Sequence, residues 1–313
     1  MSNLPPPLNQ LPFPVIGAPL FIISNPKLVI EQCKAGIVGS MPALNARSTA
    51  ALDEWLAEIS EALGPDLPYA INLVAHRTNA RLEADFAVLE KYRVPIVVLA
   101  LSARPELVQG IHAYGGLVFN DIISDYHARK CAEIGVDGIV AVASGAGGHT
   151  GNVSPFALSH EIREWWQGPL ALSGCIATGR QVLAAEVMGA DFGYIGSPFL
   201  AMEEANTANE QKQMIVSSSS KDIVVTNCFT GVNATFMRPS IEAHGLDPEA
   251  MKRPDGMKID ISGGGADARA WRDIWSAGQG IALAKEIKPI GAIVEDIVRE
   301  YVDATRGLPA LEP

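Results

Sequence analysis

Eight short apolar runs recur along the first part of the chain, and nearly every one is followed by a segment with helical spacing. The runs cover residues 14–20, 37–40, 69–74, 96–101, 116–120, 138–143, 169–173 and 191–195. Between them, helices are predicted over 26–35, from Ser48 or Thr49 onward, and over 79–92, 104–114, 124–134, 155–166 and 178–188. In the second of these, Leu52, Leu56, Ile59 and Leu63 step by three and four, which places them on one face. Strands that are apolar on both faces must be covered on both sides, as in a parallel sheet wrapped by helices. Eight such units in about 200 residues fit an α/β fold of the closed (β/α)8 TIM-barrel type. The competing open, doubly wound sheet usually carries Gly-x-Gly-x-x-Gly after its first strand, and Gly17-Ala18-Pro19-Leu20 is not that motif.

The rhythm breaks after Leu200. Residues 203–270 hold a polar helix, a four-serine turn at 217–220, a strand-like Ile223-Val224-Val225-Thr226 and a loop-rich stretch over 253–265. That is too long for a structureless loop. The expected organisation is a barrel over 1–202, a small inserted domain after strand eight over 203–270 that covers the mouth, and a C-terminal segment over 271–313. In that segment a helix over 289–301 returns to the barrel wall.

Composition narrows the function. Net charge is −11 with no basic block, which disfavours nucleic acid and anionic membrane as partners. The first seven residues carry no basic group and no long apolar run, unlike a signal or transit peptide. Cys33, Cys131, Cys175 and Cys228 are scattered, with no Cys-x-x-Cys pair, and read as free thiols in a reducing cytoplasm. The six histidines lack metal-ligand spacing, so no metal is expected.

Barrel chemistry belongs at the C-terminal ends of the strands. The loop after strand six, Ser144-Gly-Ala-Gly-Gly-His-Thr-Gly151, has four glycines and one imidazole, His149, suited to proton transfer near neutrality. Ser173-Gly174-Cys175-Ile176 and Gly196-Ser197-Pro198 follow strands seven and eight, where backbone N–H groups and helix starts attract a phosphate. Together they suggest a nucleotide-like cofactor across the mouth. The strand-end candidates Asn72, Asn120, Asp121 and His149 include no lysine. A flavin-free aldolase or isomerase is therefore a weaker reading. A non-catalytic ligand sensor would not need His149.

Ala146-Gly-Gly-His-Thr-Gly151, Ser173-Gly174, Met188-Gly-Ala-Asp191, Gly196-Ser-Pro-Phe199 and Trp275-Ser-Ala-Gly-Gln279 occur in one order along most of the chain. In these motifs the sequence resembles the nitronate monooxygenase family, formerly the 2-nitropropane dioxygenases. The resemblance implies an FMN-dependent TIM-barrel flavoprotein, an oxidoreductase that turns alkyl nitronates, or nitroalkanes, and O2 into a carbonyl compound and nitrite. It implies that Ala18, Pro19 and Leu20 pass beneath the flavin and that Asn72 and Asn120 lie near the ring or ribityl chain. Gly147 and Gly148 would approach the ring edge. Ser173, Gly174, Cys175, Gly196 and Ser197 would hold the phosphate, and Gln279 would reach the flavin or substrate. His149 matches the catalytic base. Two positions differ from some members: Asn120 stands where they carry lysine, and Val142 where they carry an acid. The implied partners are a small anion such as a nitronate and O2, with a homodimer as one open assembly. Relatives in the superfamily leave an alternative, an NAD(P)H-dependent flavin reductase of enoyl thioesters or quinones.

Overall fold

A computed structural model describes residues 4–251 and 270–307. Eight parallel strands are built as expected: β1 (Val15–Gly17), β2 (Gly39–Pro42), β3 (Tyr69–Val74), β4 (Ile96–Ala100), β5 (Leu117–Ile122), β6 (Gly138–Val142), β7 (Leu170–Ser173) and β8 (Phe192–Ile195). Each pairs with its neighbour in sequence, and β1 also pairs with β8. The ring closes where β1 meets β2: Gly17 N–H donates to the Val38 carbonyl at 2.8 Å and Val38 N–H to the Val15 carbonyl at 3.0 Å. This is a (β/α)8 TIM barrel.

Helices α1 (Pro26–Lys34), α2 (Thr49–Leu63), α3 (Leu82–Lys91), α4 (Pro105–Ala113), α5 (Asp125–Ile134), α6 (Pro155–Arg163) and α7 (Gly179–Val187) follow the first seven strands. Their starts are written locally. Asn25, Ser48, Ser124 and Thr178 each accept a backbone N–H of the first turn, and Thr178 with Gln181 forms a reciprocal capping box. Two boundaries differ from expectation. β1 ends at Gly17, not residue 20, because Pro19 has no N–H to continue a ladder. α3 begins at Leu82, not 79, because the Asn79 carboxamide donates to the Val74 carbonyl at 2.9 Å and closes the turn after β3.

Strand alternation separates two cores. Ile16, Val98, Phe119, Val140, Phe192 and Tyr194 fill the barrel interior. Leu73, Val97, Val118, Ile139 and Leu172 face the helices. Leu4, Leu8 and Leu11 join the interior cluster, so the proline-rich leader plugs the end opposite the loops.

After β8 the chain forms α8 (Asn209–Ser217), an antiparallel pair β9 (Ile223–Thr226) and β10 (Ala234–Met237), and α9 (Arg238–Ala243). Phe236, Ile241 and Ile274 make a small third cluster here. The stretch over 253–265 lies outside the described residues. The last helix, α10 (Ile290–Arg306), is longer than expected and packs on α7, burying Ile290, Val294 and Ile297. Glu300 accepts the Gly179 N–H at 3.1 Å, occupying the α7 N-terminus.

Candidate functional site

An open cavity of about 1050 Å³ lies at the C-terminal ends of the strands. It is roomy for a small-molecule site, which typically measures about 300–1,000 Å³. Its wall includes Ala18, Pro19, Leu20, Asn72, Gly147, Gly148, His149, Ser173, Gly174, Cys175, Gly196 and Ser197. The structure thus gathers on one cavity nearly all the residues singled out in the sequence. Gln279 is different: it is exposed, outside that wall, with its Oε1 3.6 Å from Cys175 Sγ.

The glycine loop is held from two sides. Gln279 N–H donates to the Gly145 carbonyl at 2.9 Å, Gly148 N–H to Ser276 Oγ at 3.2 Å, and Gly278 N–H to Ser197 Oγ at 2.9 Å. One short segment, residues 276–279, thereby ties the loop after β6 to the loop after β8. A Cβ on Gly278 would lie 2.7 Å from Gly147 N and 2.8 Å from the Gly145 carbonyl, so this crossing demands glycine. From the other side β10 pairs with the loop. Thr150 N–H donates to the Asn233 carbonyl at 3.1 Å, Thr235 N–H donates to the Gly148 carbonyl at 2.9 Å, and His149 bridges Ala234. These backbone bonds fix His149 in place.

The imidazole packs edge-on against Trp271, with ring centroids 5.1 Å apart at 90°, and its buried Nε2 has no hydrogen-bond partner among the described residues. Burial lowers its pKa below the ordinary 6.5, so the neutral ring, able to accept a proton, predominates at pH 7. An unpaired buried nitrogen costs stability unless a ligand satisfies it. Trp271 also stacks on Phe236 and meets Phe21 edge-on, so the wall beside His149 is aromatic.

Next to the glycine loop, the backbone N–H groups of Gly174, Cys175, Gly196 and Ser197 have no acceptor among the described residues. Gly174 and Cys175 both have positive φ, +121° and +62°, a turn that presents successive amides to one side. Ser197 Oγ accepts from Gly278 and keeps its own proton to donate. Such a donor set suits a dianionic phosphate. The α7 N-terminus does not contribute, because Glu300 and Gln181 already occupy it.

On β3, Asn72 donates to the Val98 carbonyl at 3.1 Å, leaving its carboxamide oxygen for the cavity. Asn120 is 3 % exposed, donates to the Asp121 carbonyl at 2.8 Å, and keeps an unpartnered Oδ1. Asp121 also lines the cavity, and burial pushes its carboxyl up to about 7 against the opposing Leu101 N–H. The sequence reading named Asp121 only as a strand end; the alternation of β5 was the signal that singles it out. Ser276, Thr235 and Trp271 carried no signal of their own, since each acts through a partner distant in the chain. The remaining histidines have local roles: His112 Nε2 meets Asp137 at 2.8 Å and His127 Nδ1 meets Ser124 Oγ at 2.9 Å. No group of metal-ligating side chains is found among the described residues, and none of their helices is long and apolar enough to cross a membrane.

Comparison with known proteins agrees with this architecture. The chain is 26% identical over 356 residues to a nitronate monooxygenase of Paraburkholderia phytofirmans, covering 94% of this chain and 93% of that protein. It is 27% identical over 236 residues to the (3aS,4S,5R,7aS)-5-hydroxy-7a-methyl-1-oxo-octahydro-1H-indene-4-carboxyl-CoA dehydrogenase of Rhodococcus jostii, covering 74% of this chain and 65% of that enzyme. A further relative from Mycobacterium tuberculosis, 30% identical over 221 residues, is matched over 59% of its length. The chain thus spans less than two thirds of the latter two relatives. The fold superposes on the nitroalkane oxidase of Streptomyces ansochromogenes with a TM-score of 0.81 at 21% identity, covering 96% and 99% of the two chains. The sequence pattern of the family described as nitronate monooxygenase matches residues 74–300, which takes in every loop of the cavity wall after β2. The chain therefore belongs to the nitronate monooxygenase family, a family of flavin oxidoreductases.

Proposed function

We propose that this protein is an FMN-dependent oxidoreductase that oxidises small alkyl nitronates, and neutral nitroalkanes, with O2. One observation carries the reading: four unpaired amides and the Ser197 hydroxyl face the same cavity as the unpartnered Nε2 of His149. The amides of Gly174, Cys175, Gly196 and Ser197 would hold the phosphate. Ala18 to Leu20, Asn72 and the Gly147–Gly148 edge would frame the rest of the cofactor. When bound, FMN supplies the electron acceptor and the route to O2.

The chain's own contribution is orientation and one proton. Neutral His149 is placed to take the proton from the carbon beside a nitro group at Nε2. Toward a preformed nitronate, an anion, the same imidazole acts as a hydrogen-bond donor instead. Trp271, backed by Phe236 and Phe21, gives the imidazole an apolar neighbour on one side. The described part of the 203–270 segment would cover the mouth in this reading, since β10 is bonded directly to the histidine loop. The four free cysteines suit a reducing, cytoplasmic setting.

A second reading is supported by the CoA-thioester dehydrogenase among the relatives and by the volume of the cavity. It is an NAD(P)H-dependent flavin enzyme acting on enoyl thioesters or quinones. Purified protein should be yellow, with a flavin spectrum that bleaches anaerobically with propionate-3-nitronate and recovers in air with release of nitrite. Bleaching by NADPH with no response to nitronates would favour the second reading. A colourless protein that FMN leaves colourless would end both.

A further inference from the structure

The β5 strand places one acid where the neighbouring strands place none. Leu117 and Phe119 belong to the barrel interior, while Val118 and Ile122 face the helices. By alternation Asp121 shares the inward side with Phe119, and Asn120 the outward side with Val118. The same alternation sets Asn72 in line with Ala70, Val142 with Val140 and Ser173 with Ala171. Asp121 is thus the only carboxylate lining the cavity among the described residues. Asp121 is partly exposed and lines that cavity, so it stands beside whatever ligand fills the space.

We propose that the Asp121 carboxyl lies against the ring end of the bound flavin, and that its negative charge opposes reduction of that flavin. The inference rests on the FMN reading above. The proposed phosphate donors follow β7 and β8, and a cofactor that extends from them across the cavity passes over the inward ring to which Asp121 belongs. Reduction of a flavin by two electrons and one proton leaves one extra negative charge on the ring. A neutral carboxyl accommodates that charge and a carboxylate repels it.

Other ionisable groups surround this end of the barrel. Burial raises Tyr194 on β8 far above its usual range and pushes Cys131 on α5 up to about 11. Lys130 is held charged by Glu133 at 2.8 Å, and His149 is pushed below 6.5. His127 is tied to Ser124. The adjoining ends of β4 and β6, Ala100 and Val142, carry no ionisable group. Asp121 gains its charge as the pH rises through about 7, or higher once the cavity is filled.

The test is the reduction potential of the FMN-loaded protein from pH 5.5 to 9, for wild type, D121N, H149N and H127N. At the alkaline end D121N should hold reduced over oxidised FMN about tenfold more tightly than wild type, about 30 mV more positive for a two-electron couple. At pH 5.5 the two should coincide, and H149N and H127N should keep the wild-type inflection. Parallel curves for wild type and D121N overturn the assignment, as does an inflection that disappears with either histidine. Should D121N fail to fold, the wild-type visible spectrum carries the test. A band shift with its midpoint at or above about pH 7 supports the proposal, and a spectrum flat from 5.5 to 9 overturns it. Failure of the wild type to bind FMN at all would instead overturn the cofactor reading itself.

Discussion

His149 combines a fixed backbone with a starved side chain. Its main chain is paired to β10, its ring is wedged against Trp271, and its Nε2 is buried without a partner among the described residues. A depressed imidazole pKa keeps the base neutral through pH 7 and costs it only as pH falls below 6.5. The rate with a neutral nitroalkane should therefore be level around neutrality and fall on the acid side, while a preformed nitronate should not show that acid limb. Replacing His149 by Asn should cut nitroalkane turnover by about 10²–10⁴-fold, the usual contribution of a positioned base, with FMN affinity almost unchanged. Equal turnover would remove the imidazole from the chemistry. Gly278 makes an opposite case, since its φ is unstrained and only space excludes a side chain. Gly278→Ala should cost about 1–3 kcal/mol by overpacking and weaken FMN binding as the three loops separate. An unchanged melting temperature would show that the crossing has slack. His149 and the glycine loop were legible in the sequence because four glycines and an imidazole cluster in eight consecutive residues. Asp121 was legible only as a strand end, because its place opposite the other strands depends on register rather than residue type.

Among the elements, the 276–279 segment and β10 decide the site. Neither belongs to the eight β-α units, yet together they hold the loops after β6 and β8 through backbone bonds. The Ser197 hydroxyl is the junction, accepting from Gly278 and free to donate to a phosphate. Ser197→Ala should weaken FMN about tenfold, the worth of one hydrogen bond of about 1–1.5 kcal/mol, and leave riboflavin affinity nearly unaltered. Flavin fluorescence titrations with the two ligands read this directly, and an equal loss for both would place the phosphate elsewhere. The motif around Trp275 to Gln279 was visible in the sequence, but its partners were not. In the structure the backbone of Gly278 and Gln279 ties the loops, and the Gln279 carboxamide is exposed with its Oε1 3.6 Å from Cys175 Sγ. β10 had no advance signal, because Ala-Thr-Phe-Met (Ala234–Met237) lacks the β-branched run that marks Ile223–Thr226 of equal length.

At the scale of the molecule, the barrel is plugged at one end and strapped on its wall by chain that comes from outside the eight units. Leu8 and Leu11 plug one end, and α10 straps the wall against α7 through Ile290, Val294 and Ile297, with Glu300 on the Gly179 N–H. Each of those three side chains is worth about 1.5–3 kcal/mol when buried, a large share of a typical total of about 5–15 kcal/mol. A chain truncated before Ile290 should fail to give a cooperative melt by circular dichroism. A truncated form that melts normally would mean the wall stands without its strap. By itself the sequence determined the eight-fold alternation, the helix starts and the glycine-bearing loops, because periodicity, capping and backbone freedom are local properties of consecutive residues. Only the tertiary structure decided which β5 side chain faces the cavity, which amides stay unpaired, and how β10 and residues 276–279 seat the histidine. Those depend on register and on contacts between segments up to more than a hundred residues apart, where no local pattern reports who the neighbour is.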